Sequence, residues 1–426
     1  MNFELSIIIL ARNEADNLRL LIPKIRSAME PLSLNYEILI LDGNSSDNTV
    51  ELSRSFGCRV ILQEEPGYGN AFRQAFKELQ GRYAINIDAD CSHDPGYILD
   101  LWSKRKNNQL VIASRYIKGG KADMPIFRKV LSIILNRIYS FGLSLPYKDL
   151  SSGFRLYQVE SVRGLIDDVK AKDFNILLEV LIKLHCSGYY ISEMPFFYQP
   201  RHYGSSSLKP FKLCFSYLKT LYYSWQLRNS AFSADYDERA FNSIIPLQKY
   251  WQRKRYKIIM GLVEKNGFCL DSGCGSSKVI QNLPQAVGLD IDLKKLRYLQ
   301  KTNRLLVKGS ISNLPFKNDT AAEIICSQVI EHIPKESLNL REFYRVLKEG
   351  GYLIIGTPDY ATFWWRFFEW FYIRLLPFAY GEGHISHYNK EELRRLLEES
   401  SFKIINYQYI CRAELIIKAQ KYQNEY

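Results

Sequence analysis

Tyr83-Ala84-Ile85-Asn86-Ile87-Asp88-Ala89-Asp90-Cys91-Ser92-His93 runs from an apolar strand pattern directly into two carboxylates one residue apart. In a parallel α/β sheet the carboxyl ends of the strands carry the ligand-binding groups, so acids placed there read as a site. Asp88 and Asp90 repel each other unless a cation lies between them. Mg2+ or Mn2+ with oxygen donors, clamping a diphosphate, answers that need. Such a pair also arises by chance, and its weight rests on its neighbours in the chain.

Those neighbours repeat the pattern. Apolar runs at Leu5–Leu10, Glu37–Leu41, Val60–Leu62 and Leu110–Ala113 alternate with segments of helical period, which predicts parallel strands with covering helices. A second series follows at Phe268–Leu270, Ala286–Leu289, Arg304–Val307, Ala322–Cys326 and Gly351–Gly356. At roughly 150 residues per domain, a chain of 426 residues has room for more than one. The expectation is an α/β protein of two tandem domains, residues 1–230 and 231–426. Their loop motifs differ, so neither is a copy of the other.

Lys and Arg number 57 against 45 Asp and Glu, a formal net charge of +12. That balance suits phosphorylated ligands, anionic membrane or nucleic acid; no basic-aromatic readout motif supports the last, and nucleic acid is not an expected partner. Cysteines at 58, 91, 186, 214, 269, 274, 326 and 411 form no C-x-x-C pair, which argues for reduced thiols over a disulfide framework or a structural zinc. Arg12 and Glu14 interrupt the first apolar run, unlike a signal peptide. The apolar stretches near 126–145 and 363–380 are likewise broken by charge, too often to span a bilayer. Residues 201–257 carry eleven Lys/Arg and three Asp/Glu. Within them Phe211, Phe215, Leu218, Tyr222 and Trp225 recur at helical spacing, opposite Lys212, Ser216 and Lys219. Two readings stay open for that helix: one lying in a headgroup layer, and one packed on the sheet with a solvated Lys face. The expected location is cytoplasmic, peripherally associated with the inner face of the membrane.

Asp42-Gly43-Asn44-Ser45-Ser46-Asp47-Asn48-Thr49 follows the second predicted strand, either as a nucleotide-side acid or as an ordinary Asx turn and helix cap. Ser114-Arg115-Tyr116, Asp149–Arg155 and Glu193–Lys209 present arginines beside small residues, a setting for charge-assisted grips on phosphate. Together with Arg12-Asn13-Glu14 and Gly67-Tyr68-Gly69, this ordered set resembles family 2 glycosyltransferases of the GT-A fold over residues 3–210. Within them it is most similar to the dolichol-phosphate mannose synthase branch. The resemblance implies that Asp42, with Asp47, binds the nucleotide and that Asp88 and Asp90 bind the metal, with Ser92 as a further ligand. It implies that Arg115 and Arg201 face the donor diphosphate or the acceptor phosphate. Arg128 and Ser132, at i, i+4 on one helix face, would hold the acceptor phosphate. The implied reaction is inverting transfer of a sugar, mannose from GDP-mannose, to dolichyl or polyprenyl phosphate. Such an acceptor is anionic at neutral pH and needs no strong base, whereas an alcohol would need one, with Asp149 and Glu193 as candidates.

In the second series, Phe268-Cys269-Leu270-Asp271-Ser272-Gly273-Cys274-Gly275 passes from a strand into a glycine turn, and Asp290 ends the next strand. A glycine turn lets backbone approach a ligand closely, and an acid in that place can take ribose hydroxyls. With Ser310–Phe316, Cys326–His332 and Leu347–Pro358, the set resembles class I S-adenosylmethionine-dependent methyltransferases over about 236–418. The resemblance implies cofactor contacts from Asp271, Gly273, Gly275, Asp290 and Gln328. Ser276 stands where a third glycine is common, and Ser310 where an acid is. An aromatic segment at 362–380 reads as a lid or as a packed helix, and His384 and His387 as a base or as structural histidines. The leading expectation is a bifunctional enzyme with Mg2+ or Mn2+ and S-adenosylmethionine as cofactors. Two others compete: a transferase using a UDP-sugar and a hydroxyl acceptor, and a methyltransferase with a non-catalytic lipid-docking first domain.

Overall fold

The computed structural model describes residues 3–200, 210–302, 304–375 and 384–422. The chain divides into two compact units, Met1–His185 with Tyr189–Trp225, and Cys186–Gly188 with Gln226–Tyr426.

In the first unit β1 (Phe3–Ala11), β2 (Tyr36–Asp42), β3 (Arg59–Leu62), β4 (Gly81–Asn86) and β5 (Leu110–Ser114) fall on the apolar runs of the sequence. The short β6 (Lys121–Ala122) pairs with β9 (Phe197–Tyr198) in a separate ribbon. With β7 (Arg155–Gln158) and β8 (Ile191–Pro195), the main sheet has the order β3-β2-β1-β4-β7-β5-β8. It is parallel except for β7, which runs antiparallel between β4 and β5. Ile7, Ile8 and Ile9 of the central β1 are all fully buried, as a strand covered on both faces requires. Leu18, Leu21, Ile22 and Ile25 of the helix Ala15–Met29 recur at helical period and close one side of that core.

The second unit contains β10 (Cys269–Ser272), β11 (Ala286–Asp290), β12 (Leu305–Lys308), β13 (Ala321–Ser327), β14 (Leu347–Pro358), β15 (Phe402–Ile410) and β16 (Glu414–Lys421). Their order is β12-β11-β10-β13-β14-β16-β15, parallel through β14 and then antiparallel. Each sheet reverses its strand order at the centre, between β1 and β4 and between β10 and β13. The crevice beyond the carboxyl ends of those strands is where a ligand of such a sheet binds.

Candidate active sites

At the carboxyl ends of β1 and β2, two loops are zipped together by side chains. Asn13 N–H donates to Ser45 Oγ at 2.8 Å, Ser46 N–H to Asn13 Oδ1 at 2.8 Å, and Glu14 N–H to Thr49 Oγ1 at 2.9 Å. Asp42 is buried, and its two oxygens accept Ser45 N–H at 2.9 Å and Ser45 Oγ–H at 2.5 Å. Asp47 is exposed and accepts from Ala15 N–H, Thr49 N–H and Thr49 Oγ1–H. Burial works against its charged form, but these hydrogen bonds outweigh it and hold the carboxyl below its usual range. Both acids therefore brace turns of their own loop, though neither is the N-cap of the helix that starts at Thr49, which is Asn48, and Asp42 ends β2 at the crevice.

Asp88 and Asp90 stand one strand across, just past β4. Ser92 is fully buried, and both its N–H (3.1 Å) and Oγ–H (2.6 Å) donate to Asp90 Oδ1. Ser92 thus aims Asp90; its hydroxyl proton is spent on the carboxylate. His93, buried and stacked on Phe154 at 5.0 Å, accepts the Asp88 N–H on Nδ1 at 3.1 Å. That leaves the proton on Nε2, which lies 3.6 Å from Asp88 Oδ2. Burial pulls the imidazole below its ordinary pKa even against the nearby Asp88 and Asp90 charges, so a neutral ring positions Asp88.

The antiparallel β7 brings a third loop to this place. Asn86 Nδ2 donates to Gly153 O at 2.9 Å, and a Cβ on Gly153 would stand 3.2 Å from Asp88 Oδ1. Behind Gly153, Asp149 is fully buried and accepts five hydrogen bonds: from Arg115 N, Nε and Nη2 at 2.7 to 2.9 Å, from Ser152 N at 3.1 Å and from Ser151 Oγ at 3.3 Å. Burial opposes its charge, but the Arg115 guanidinium overcomes it and holds the carboxyl below its usual range. Ser151 Oγ in turn meets Ser132 Oγ at 3.4 Å and Asn136 Nδ2 at 3.0 Å. One polar string therefore joins Arg115, Asp149, Ser151 and Ser132, with Arg128 half-buried one turn earlier on the Ser132 helix. Two expectations change. One edge of Arg115 is spent on Asp149, so its first role is to hold the loop. Glu193 is also engaged, its two oxygens each accepting a backbone N–H at 2.9 Å, from Lys148 and Asp149. Arg155 is fully buried and donates to the carbonyls of Leu150, Ser152 and Leu177, a hub for the loop and out of reach of a phosphate. Arg201 lies outside the described residues.

In the second unit Gly273 and Gly275 have φ of 75° and 52°, a left-handed backbone that side chains disfavour. A Cβ on Gly273 would meet Val329 Cγ2 at 2.3 Å, so only glycine lets the loops after β10 and β13 approach this closely. Asp290 accepts Gly275 N–H and Asp292 N–H, both at 2.8 Å. Among the described residues, Asp271 Oδ2 and Gln328 Nε2 are buried with no hydrogen-bond partner. Burial, followed by the charges of Asp290 and Asp237, pushes the Asp271 carboxyl up to about 7. The structure thus brings Asp271, Gly273, Gly275, Asp290 and Gln328 to one crevice. It also shows why Ser276 is no defect: its N–H and hydroxyl reach Asp237 Oδ2 at 2.9 and 3.1 Å. Asp237 escaped the sequence reading because nothing local marks it. His387 stacks on Tyr360 at 3.9 Å. His384 sits among Trp365, Tyr360 and His332, where burial, with the neighbouring imidazoles, pushes its pKa down to about 3.

Residues 6–165 match the family model of glycosyl transferase family 2, and residues 270–355 that of a methyltransferase domain. A dolichol-phosphate mannosyltransferase of Mycosarcoma maydis is 30% identical over 236 residues, which cover 52% of this chain and 79% of the relative. The chain belongs to glycosyl transferase family 2. A dolichol-phosphate mannosyltransferase of Pyrococcus furiosus is 37% identical over 233 residues, 51% of this chain, and the match spans 63% of that relative's length. Among solved structures, the glucosyl-3-phosphoglycerate synthase of Mycobacterium tuberculosis in complex with Mn2+ and UDP is 17% identical, with TM-score 0.40 and coverage of 53% of this chain and 80% of that one. The family 2 unit has the GT-A fold, and the unit that follows has the Rossmann-like fold of class I methyltransferases.

Proposed function

We propose that the chain is a bifunctional enzyme. Residues 1–230 would transfer mannose from GDP-mannose, with inversion, to dolichyl or polyprenyl phosphate at a membrane surface; residues 231–426 would transfer a methyl group from S-adenosylmethionine. One observation carries the choice of acceptor. Both candidate bases are occupied: Asp149 is ion-paired and holds five hydrogen bonds, and Glu193 takes two backbone amides. An alcohol would find no base there, whereas a phosphate arrives already ionised.

The donor set at Asp88 and Asp90 is oxygen only, which fits Mg2+ or Mn2+. Bound there, the cation would neutralise the departing nucleoside diphosphate. Ser92 and His93 keep the two carboxylates aimed, and Asp42 presents its edge to the nucleoside. Arg115, anchored by Asp149, holds the loop that carries Gly153 against Asp88. Arg128 and Ser132 would seat the acceptor phosphate, with Arg201 as a further cation. Asp271, Asp290, Gly273, Gly275 and Gln328 would hold S-adenosylmethionine; the unpartnered Asp271 Oδ2 and Gln328 Nε2 fit a polar ligand that completes them. The cofactor supplies an electrophilic methyl carbon on a sulfonium, and the glycine turn lets backbone reach it.

The membrane reading draws on two helices built inside out. No described helix is long and apolar enough to cross a membrane. Yet Ile126–Gly142 buries Asn136 and Tyr139 while Phe127 and Phe141 are 71% and 82% exposed. Pro210–Arg228 buries Thr220 and Ser224 while Phe215 is 81% exposed. Tyr139 Oη–H joins the two by donating to Tyr217 O at 2.6 Å. Apolar faces turned outward beside lysines suit an interfacial position at a lipid surface, a peripheral contact on the cytoplasmic side. The test is purified protein with polyprenyl phosphate and labelled GDP-mannose or UDP-sugars. We expect lipid-soluble label from GDP-mannose that needs Mg2+ or Mn2+ and falls by orders of magnitude in Asp90→Asn. Full activity in EDTA, or transfer to an alcohol with polyprenyl phosphate inert, would overturn the reading.

A further inference from the structure

The proposed function assigns nothing to Glu331, His332 and His384, yet their ligand-type atoms all lie within 4.8 Å of one another. The backbone builds this cluster. A short turn, Ile330–His332, follows β13 and offers Glu331 and His332 side by side. Ile385 N–H and Ser386 N–H both donate to Glu331 O, at 2.8 and 3.0 Å, and so fix His384 beside them. Glu331 is fully buried; its Oε2 accepts a long 3.3 Å hydrogen bond from Thr357, and among the described residues its Oε1 is buried with no hydrogen-bond partner. A buried carboxylate oxygen without a donor is costly unless something positive completes it. His384 Nδ1 meets the Tyr360 hydroxyl, and that hydroxyl lies 3.1 Å from Glu369 Oε1. An outer partner on one ring nitrogen is what orients a ligating imidazole and presents the other. His332 is exposed, so the cluster opens to solvent, next to a cavity of about 290 Å³ lined by Lys335, Ile385, Ser386 and His387.

We propose that Glu331, His332 and His384 Nε2 bind one divalent first-row transition cation, of the class of Zn2+, Co2+ and Mn2+. Two imidazoles and one carboxylate suit this class over Mg2+ or Ca2+, which prefer all-oxygen sites. Three protein donors leave at least one position for an oxygen ligand from the solvent side. The site is distinct from Asp88 and Asp90, which belong to the other unit.

Co2+ is the probe, because imidazole ligation gives it a visible ligand-field spectrum. The full-length Asp88→Asn/Asp90→Asn protein removes the first site from the count. We expect this protein to bind one equivalent of Co2+ with such a spectrum, and Zn2+ to bleach it. Adding His332→Ala, a change at an exposed position, should abolish the spectrum. It should weaken binding by at least the roughly 10- to 100-fold that loss of a mere outer partner costs. Glu331→Gln should do the same, with circular dichroism confirming the fold of both variants. Absence of a Co2+ spectrum in the double variant, or a spectrum indifferent to His332→Ala and Glu331→Gln, would overturn the proposal. S-adenosylmethionine binding by calorimetry on the same protein is a separate readout, so the cation site and the cofactor site stand or fall independently.

Discussion

Replacing Asp271 with Asn should remove a pH-dependent cost of folding. Burial, with the charges of Asp290 and Asp237, raises this carboxyl from 3.8 to about 7 in the folded chain. Between those values the folded state keeps a proton that the unfolded state has released. Stability contributed by Asp271 is therefore intact below about pH 4, falls as pH rises, and stops falling above about pH 7. The difference is about 3 pH units, and at 1.36 kcal/mol per unit it amounts to about 4 kcal/mol across the window. Asn has the same shape and no charge to bury, so the variant should slope less steeply with pH than the wild type. Hydrogen exchange of the β10 and β11 amides measures the opening of this unit without assuming that the two-unit chain unfolds in one step. Glu323 is also raised by burial, but it contributes equally to both proteins and drops out of their difference. The opening free energy of the variant minus that of the wild type should grow by about 4 kcal/mol from about pH 4 to about pH 8. A difference that stays constant with pH would refute the reasoning, because Asp271 would then be no more reluctant to ionise folded than unfolded.

Two further outcomes follow from the first unit. Asp149→Ala leaves the Arg115 guanidinium buried without its anion, and protection of the β5 and β7 amides should drop by about 3–5 kcal/mol; a change under 1 kcal/mol, roughly that of an exposed pair, would show that the pair is not holding the loop. Phe127→Ser with Phe141→Ser should weaken sedimentation with anionic liposomes by roughly two orders of magnitude or more, at about 1.5–3 kcal/mol per buried aromatic. Added salt should weaken the wild type further as it screens the lysines; binding indifferent to both changes would remove these helices from the membrane contact.

Much of the fold was legible because its signals are local. Runs such as Ile7–Leu10 and Leu39–Leu41 are apolar at every position, which in a short segment flanked by turn residues means a strand buried on both faces. The acids that follow them, Asp42, Asp88, Asp90, Asp271 and Asp290, gain their meaning from standing at strand ends, and the structure gathers them at the two crevices. The strand β7 was not legible: Arg155–Gln158 has only four residues and begins with an arginine, and it is a strand because β4 and β5 both pair with it. The hairpin β15–β16 likewise draws its definition from pairing with β14.

Side-chain roles divide along the same line. The sequence by itself determined two α/β units, the order of their strands along the chain, and the loops that carry carboxylates and glycines, because each depends on residues within one turn or strand of each other. Only the tertiary structure decided that Arg115 answers Asp149, 34 residues away, that Ser276 answers Asp237, 39 residues away, and that His384 joins Glu331 and His332. It also decided that the helices Ile126–Gly142 and Pro210–Arg228 turn Phe127, Phe141 and Phe215 outward. Helical spacing shows that a helix has two faces, but which face is buried depends on what the rest of the chain sets against it, and here the partners are polar.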